Sequence, residues 1–147
     1  MESLDVDGEY RFVAFGDQRA LVEEWRDMMP HIARLAEEDG RLLFMVDTGD
    51  IVGNGSHSDQ FWMLRDILSP AKKLPYLVGV GNHEVHDNNG DRQNAATFLG
   101  YLGENFSPDR MYYRKDIGTA RFLFLDTNDL IYENRGADGF SHAVRNR

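Results

Sequence analysis

Cysteine is absent from the 147 residues of this sequence. Its absence excludes disulfide bonds, thiolate metal sites and cysteine nucleophiles. No apolar run approaches the ~18 residues that a membrane-spanning helix needs, so no membrane partner is expected. The opening stretch, MESLDVDGEYRF, has no basic segment followed by an apolar one. No signal peptide is therefore visible, and a cytoplasmic location is expected.

Positive charge is also scarce in this sequence. Lys and Arg number 16 against 25 Asp and Glu, which gives a formal net charge of −9. Such a charge disfavours nucleic acid and anionic membranes as partners, because bulk repulsion opposes both. An acidic protein can still bind a phosphate if it places a cation locally. Hydrophobic residues make up 41% of the chain, which predicts a packed globular domain.

The first half of the chain predicts a strand–helix–strand–helix–strand order. Apolar runs at residues 10–15, 42–46 and 75–80 have the character of buried strands. Between them, apolar residues recur at helical spacing over residues 21–38 and 59–68. Strands joined by helix-length crossovers are usually parallel. The three strands are therefore expected to end at the same edge of one sheet.

Several finer features follow from local residue types. Pro30 interrupts the first helical pattern, which leaves either one kinked helix or two short ones. Ser58 is expected to cap the second helix. The second half predicts a short helix and then a hairpin, followed by a polar tail. These assignments are a helix over 94–102, strands over 111–115 and 119–126 around a turn at 116–118, a domain over 1–132 and a tail over 133–147.

Polar residues follow each of the three predicted parallel strands. Asp17, Asp50 and Asn82 are separated from one another by roughly the 30 residues of one βαβ unit. They should lie side by side at the carboxyl edge of the sheet, where open α/β sheets bind ligands. Carboxylate and amide oxygens suit divalent ions such as Mn, Fe, Zn or Mg. Asp50, the central residue, could bridge two ions ~3.5–4 Å apart.

The neighbours of these residues suggest further roles. His83 could protonate a leaving oxygen or stabilise charge on a phosphoryl group. Glu84 could orient that imidazole or cap the following segment. An aspartate at a strand-to-helix turn often caps the helix instead, which is an alternative role for Asp17 and Asp50. The metal role is favoured because Asn82 joins them at a matching strand end.

The order of three short motifs resembles a known family. GD-x-R, then GDIVGNG, then GNHE is similar to the calcineurin-like metallophosphoesterases, which include the purple acid phosphatases. The family's motifs are GD-x-H, GD-x-x-x-x-G and GNH[ED], followed by GH and GH-x-H. The resemblance spans about residues 10–127. It implies a four-layered α/β/β/α sandwich that hydrolyses phosphomonoesters or phosphodiesters with two divalent metal ions.

The resemblance assigns a role to each matching residue. Asp17 corresponds to a ligand of the first metal, Asp50 to the bridging ligand and Asn82 to a ligand of the second metal. His83 corresponds to the histidine that contacts phosphate in the transition state. Arg19 stands where the family motif has histidine, and a guanidinium cannot ligate a metal. Arg19 is instead expected to clamp a phosphate oxygen or to form a salt bridge with a nearby carboxylate.

The family's later GH and GH-x-H histidines are missing from this sequence. His142 lies in the polar tail with no strand before it. The chain is therefore expected to represent the first half of the family's domain and, alone, to bind metal weakly and to hydrolyse phosphoesters slowly or not at all. Three interpretations follow: a phosphoester hydrolase, an inactive relative that serves as a binding module, or a homo-oligomer in which another copy supplies the missing histidines.

Overall fold

A computed structural model describes residues 6–19, 22–85, 91–102 and 106–128 of the chain. Strands and helices alternate in its first part, and a hairpin follows. The elements are β1 (Arg11–Phe15), α1 (Val22–Glu38), β2 (Leu42–Asp47), α2 (Ser58–Leu68), β3 (Tyr76–Val78), α3 (Asn82–Val85), α4 (Arg92–Leu99), β4 (Tyr113–Ile117) and β5 (Ala120–Phe124), with single 3₁₀ turns at Ser69–Ala71 and Gly100–Leu102.

The strands form two sheets. β1, β2 and β3 make a parallel sheet in that order, with β2 at its centre. β4 and β5 pair antiparallel as a separate two-stranded sheet. The predicted mixed α/β class, with a parallel β-α-β-α-β start and a hairpin after it, is confirmed.

The central sheet is covered on both faces. Successive residues of a strand point to opposite faces, so β2 contributes to two cores. Met45 packs on one face with Trp25 and Phe61 of the helices. Phe44 packs on the other face against a cluster that includes Phe124 of the hairpin. The described part of the chain therefore has a helix layer, a sheet and a hairpin layer.

α1 is a single helix that continues through Pro30. Its buried side chains are Trp25, Met29 and Ile32, which recur at helical spacing on one face. Pro30 is exposed. Of the two arrangements that the sequence left open, one continuous helix is present because the proline ring faces solvent and the apolar face is uninterrupted.

The predicted cap of α2 was wrong. Ser58 is already the first residue of the helix, and His57 occupies the cap position without a side-chain cap hydrogen bond. Ser58 Oγ instead donates to Asn94 Oδ1 of α4 at 3.0 Å. α4 itself begins at Arg92, and Asp91 caps it by accepting from the Asn94 N–H at 3.0 Å.

The hairpin turn begins two residues later than predicted and ends one residue later. Ile117 pairs with Ala120, which leaves Gly118 and Thr119 as the turn. Gly118 has a positive φ of 53°, as a two-residue hairpin turn commonly requires. The predicted domain boundary at residue 132 and the tail over 133–147 lie outside the described residues. Within the described ranges, no helix has both the length and the apolar character needed to cross a bilayer.

Candidate active site

The loops that follow β1 and β2 are joined through their backbones. The Asp17 N–H donates to the Gly49 carbonyl at 2.9 Å, and the Arg19 N–H donates to the Asp50 carbonyl at 3.1 Å. These bonds form because parallel strands end at one edge of the sheet. They place the first two predicted metal ligands side by side.

The loop after β3 approaches the same point. A Cβ atom at Gly81 would lie 1.9 Å from Asp50 Oδ1, so only glycine permits this approach. The His83 N–H donates to Asp50 Oδ1 at 3.2 Å. Asn82, between Gly81 and His83, is the first residue of α3. Asp50 therefore does cap a helix, but the helix is α3, which lies on the neighbouring loop.

Arg19 connects the predicted site residues. Its Nη2 lies 2.7 Å from Asp17 Oδ1 and 3.7 Å from Asp50 Oδ2. Its Nη1 contacts His83 Nε2. One guanidinium thus touches residues from all three loops, and both carboxylates share a single nitrogen. Of the two roles expected for Arg19, the structure contains the salt bridge.

The ring of His83 is oriented by the loop after β2. Its Nδ1 lies 2.8 Å from the carbonyl oxygen of Gly53. A carbonyl only accepts hydrogen bonds, so Nδ1 carries the proton in this pair. Nε2 then presents its lone pair to the guanidinium of Arg19, which can only donate. The nitrogen that faces the other site residues is therefore Nε2.

Glu84 does not orient this imidazole, and that prediction was wrong. The side chain is fully buried, and its carboxylate accepts from the N–H groups of Asp50 at 2.8 Å, Val52 at 3.1 Å and Gly81 at 2.8 Å. Burial raises the pKa of Glu84, these N–H groups oppose the increase, and the Asp50 charge adds to it. Glu84 thus fastens the loops after β2 and β3 to each other.

Asp47 supports the site from beneath and was missed by the sequence analysis. It ends β2, is fully buried, and accepts from Tyr76 Oη at 2.5 Å, Gln18 Nε2 at 3.0 Å and the Gly49 N–H at 2.9 Å. Burial raises its pKa to about 7. The available signal was an aspartate directly after the apolar run LLFMV, where a carboxylate has to find partners inside the fold.

The backbone at the site is strained in two places. Asp17 has a φ of 63° and Asp50 a φ of 55°, both in the left-handed region that side chains other than glycine rarely adopt. Such conformations cost of order 1–3 kcal/mol each and concentrate at functional sites. The strain fixes the direction in which each carboxylate leaves the chain.

The donor atoms suit a divalent cation in kind but not in number. Two carboxylates and one amide are oxygen ligands of the type that Mg²⁺ or Mn²⁺ prefers. In the part of the chain that the structure describes, no cluster of three or more His, Cys, Asp or Glu side chains is placed to hold a metal. Arg19 also contacts both carboxylates. Asp17, Asp50 and Asn82 alone do not complete a two-ion centre.

Comparison with known proteins shows which fold this chain resembles. No protein family and no curated protein matches the sequence. A solved structure of a purple acid phosphatase isolated from yellow lupin (Lupinus luteus) seeds is similar, with a TM-score of 0.57 and 17% sequence identity. The similarity covers 80% of this chain and 25% of the lupin chain, so this chain spans about a quarter of that enzyme's length. At this identity the likeness extends to the fold alone.

Proposed function

We propose that the chain carries part of a phosphoesterase active centre of the metallophosphoesterase type, acting on phosphomonoesters or phosphodiesters. The observation that carries the proposal is the contact of Arg19 with Asp17, Asp50 and His83, which gathers the ends of three parallel strands. Ligands bind at this edge in open α/β sheets. The similarity to the fold of a purple acid phosphatase supports the same interpretation.

In this proposal Asp17, Asp50 and Asn82 hold divalent ions of Mn, Fe, Zn or Mg. Asp50 would be the residue shared between two ions, since it follows the central strand, and the His83 N–H holds its side chain in place. When bound, the ions would supply the positive charge that polarises a phosphoryl group and activates the attacking water. The remaining ligands of a complete centre lie beyond these three residues.

Arg19 and His83 are proposed to act on the phosphoryl group itself. A guanidinium donates two parallel N–H bonds to phosphate oxygens, and this one is already at the strand ends. The Gly53 carbonyl keeps the His83 ring in place. With a proton on Nε2, His83 could donate to a phosphoryl oxygen or to the leaving group.

Hydrolysis of p-nitrophenyl phosphate and of bis(p-nitrophenyl) phosphate tests this function. After chelation, we expect activity to return only when Mn²⁺, Zn²⁺, Fe²⁺ or Mg²⁺ is added. Asp50→Asn and His83→Asn should each lower kcat/KM at least about tenfold, since a general acid alone contributes roughly 10²–10⁴-fold. Asp27→Asn, on the exposed side of α1, is the matched control. Activity equal in Asp50→Asn and the wild type would contradict the proposal.

A binding module is the second candidate. The hairpin exposes large apolar side chains, with Leu123 63% and Leu125 65% accessible. Exposed apolar groups of this size are typical of surfaces that meet another chain. An inactive protein with an intact fold would favour this candidate over the first.

A further inference from the structure

We propose that Arg19 is a built-in counter-ion that competes with divalent metal for Asp17 and Asp50. Metal binding then requires the guanidinium to leave the carboxylates. This inference rests on the proposed function, in which those carboxylates hold the metal. It adds a second role for Arg19, which would change partner when a metal binds.

The geometry places the guanidinium in competition with a divalent ion for the same carboxylates. Nη2 of Arg19 lies between the carboxylates, 2.7 Å from Asp17 Oδ1 and 3.7 Å from Asp50 Oδ2. A divalent ion shared by these carboxylates would have to sit about 2.0–2.6 Å from their oxygens. It would meet the guanidinium at a separation of a few ångströms, where like charges repel strongly near a protein surface.

The side chain of Arg19 can leave while its backbone stays. The Arg19 N–H is fixed to the Asp50 carbonyl at 3.1 Å, which holds the Cα position. The side chain itself is 38% exposed, so alternative rotamers are open towards solvent. Only the guanidinium has to move, and the three-loop framework is retained.

Departure of the guanidinium also frees His83. The group that contacts both carboxylates contacts His83 Nε2 as well. A metal ion that displaces Arg19 therefore releases a guanidinium and an imidazole nitrogen together, next to the position of a bound phosphoryl group. The contacts of Arg19 thus link the two groups that the proposed function assigns to phosphate binding.

The competition should weaken metal binding without abolishing it. One guanidinium neutralises one of the two carboxylate charges, and the pair keeps a net charge of −1 that still attracts a cation. Loss of the arginine charge should therefore tighten metal binding by about tenfold, since removing a nearby like charge at a protein surface relieves a repulsion of this order.

Calorimetric titration with Mn²⁺ in phosphate-free buffer tests the inference. Arg19→Ala should bind Mn²⁺ at least about tenfold more tightly than the wild type. Arg19→Lys, which keeps a positive charge, should lie nearer the wild type than Arg19→Ala. Arg26→Ala, which removes an exposed charge from α1, controls for the change in net charge and should match the wild type. In chelator, Arg19→Ala should also have a lower Tm than the wild type, because the carboxylates then repel each other.

The outcomes separate the inference from the function on which it rests. Measurable and equal Mn²⁺ affinities in the wild type and Arg19→Ala would overturn the competition and leave the metal site standing. Absence of Mn²⁺ binding in the wild type and in every Arg19 variant would overturn both. Tighter binding in Arg19→Ala that disappears in the Arg19→Ala, Asp50→Asn double variant would support both.

Discussion

Two buried carboxylates, those of Asp47 and Glu84, stabilise the loops of the candidate site from inside the fold. Asp47 and Glu84 are both fully buried, and their hydrogen-bond partners are neutral donors. Burial without a cationic partner disfavours the charged form and raises the pKa of each group. At the scale of single residues, pH therefore acts on the framework of the site.

Asp47 should make stability fall as pH rises. The pKa of its carboxyl group is about 7 in the folded chain against a reference value of 3.8. Between these values the unfolded chain has lost a proton that the folded chain retains, so the stabilisation is complete below about pH 4 and is lost by about pH 7. The unfolding free energy of Asp47→Asn relative to that of the wild type should therefore increase with pH, by up to about 4 kcal/mol across this window. Urea denaturation at a series of pH values measures it.

The side chain introduced by Asp47→Asn has a hydrogen-bond partner available in Gln18. Gln18 Oε1 is buried, and no partner for it lies among the described residues. A rotated Gln18 amide would accept from the new side-chain NH₂ group. Asp27→Asn, on the exposed face of α1, is the control and should show no comparable gain. Parallel pH profiles for the wild type and Asp47→Asn would contradict the assignment.

Sequence reasoning found the residues at the surface of the site more readily than those beneath it. Asp17 and Asp50 each follow a glycine after an apolar run, which is a local signal. The role of Glu84 depends on three N–H groups that converge only after two loops have met. No spacing along the chain encodes that convergence. The sequence left two roles for Arg19, a phosphate contact and a salt bridge with a carboxylate, and the geometry was needed to choose between them.

At the scale of elements, the alternation of strands and helices was predictable because its signals are local. Apolar runs and helical periodicity do not depend on distant contacts. The ends of the elements were less predictable. β3 extends only over Tyr76–Val78, and the Gly79 N–H makes the last bond to β2, donating to the Asp47 carbonyl before the chain turns into the site. Ser58, expected to cap α2, instead bonds to Asn94, far along the chain.

Gly49 should be irreplaceable at the junction of two loops. It has a φ of 104°, and an added Cβ would lie 2.4 Å from the backbone nitrogen of Gly81. Backbone cannot move aside as a side chain can, so Gly49→Ala should lower the unfolding free energy by about 2 kcal/mol or more. Gly40→Ala is the matched control, because nothing lies within 4 Å of its added Cβ. Similar denaturation midpoints for the two variants would refute the close approach.

Pro30 should cost α1 stability. A proline inside a helix removes one backbone hydrogen bond and clashes with the preceding turn. Since Pro30 is exposed, Pro30→Ala disturbs no core and should raise the unfolding free energy by about 1–3 kcal/mol. Pro70→Ala is the control: Pro70 lies at the start of a 3₁₀ turn, where proline is tolerated. Thermal denaturation that shows no gain for Pro30→Ala over Pro70→Ala would count against this reasoning.

At the scale of the whole molecule, the outward face of the hairpin carries exposed apolar side chains. Phe122 and Phe124 point to the core, so Leu123 and Leu125 point outward. β5 pairs with β4 on one side, and in the described residues no strand pairs with its other side. Open strand edges with apolar side chains favour self-association.

We therefore predict that the chain self-associates through this face. Leu123→Lys should lower the average mass seen by light scattering at tens of micromolar protein, because a charge on the face opposes its burial. Leu35→Lys, which replaces an exposed leucine of α1, is the matched control and should leave the mass unchanged. A wild-type chain that remains monomeric over this range would exclude the prediction.

The left-handed backbone at Asp17 and Asp50 has a consequence for how the chain balances folding against chemistry. Glycine adopts this conformation freely, whereas an L-amino acid with a side chain is penalised there. At Asp50 part of that penalty is offset, because the carboxylate accepts from the His83 N–H. Under the proposed function, replacing either aspartate by glycine would relax the backbone and remove a metal-binding oxygen in the same step, so strain and chemistry are lost together.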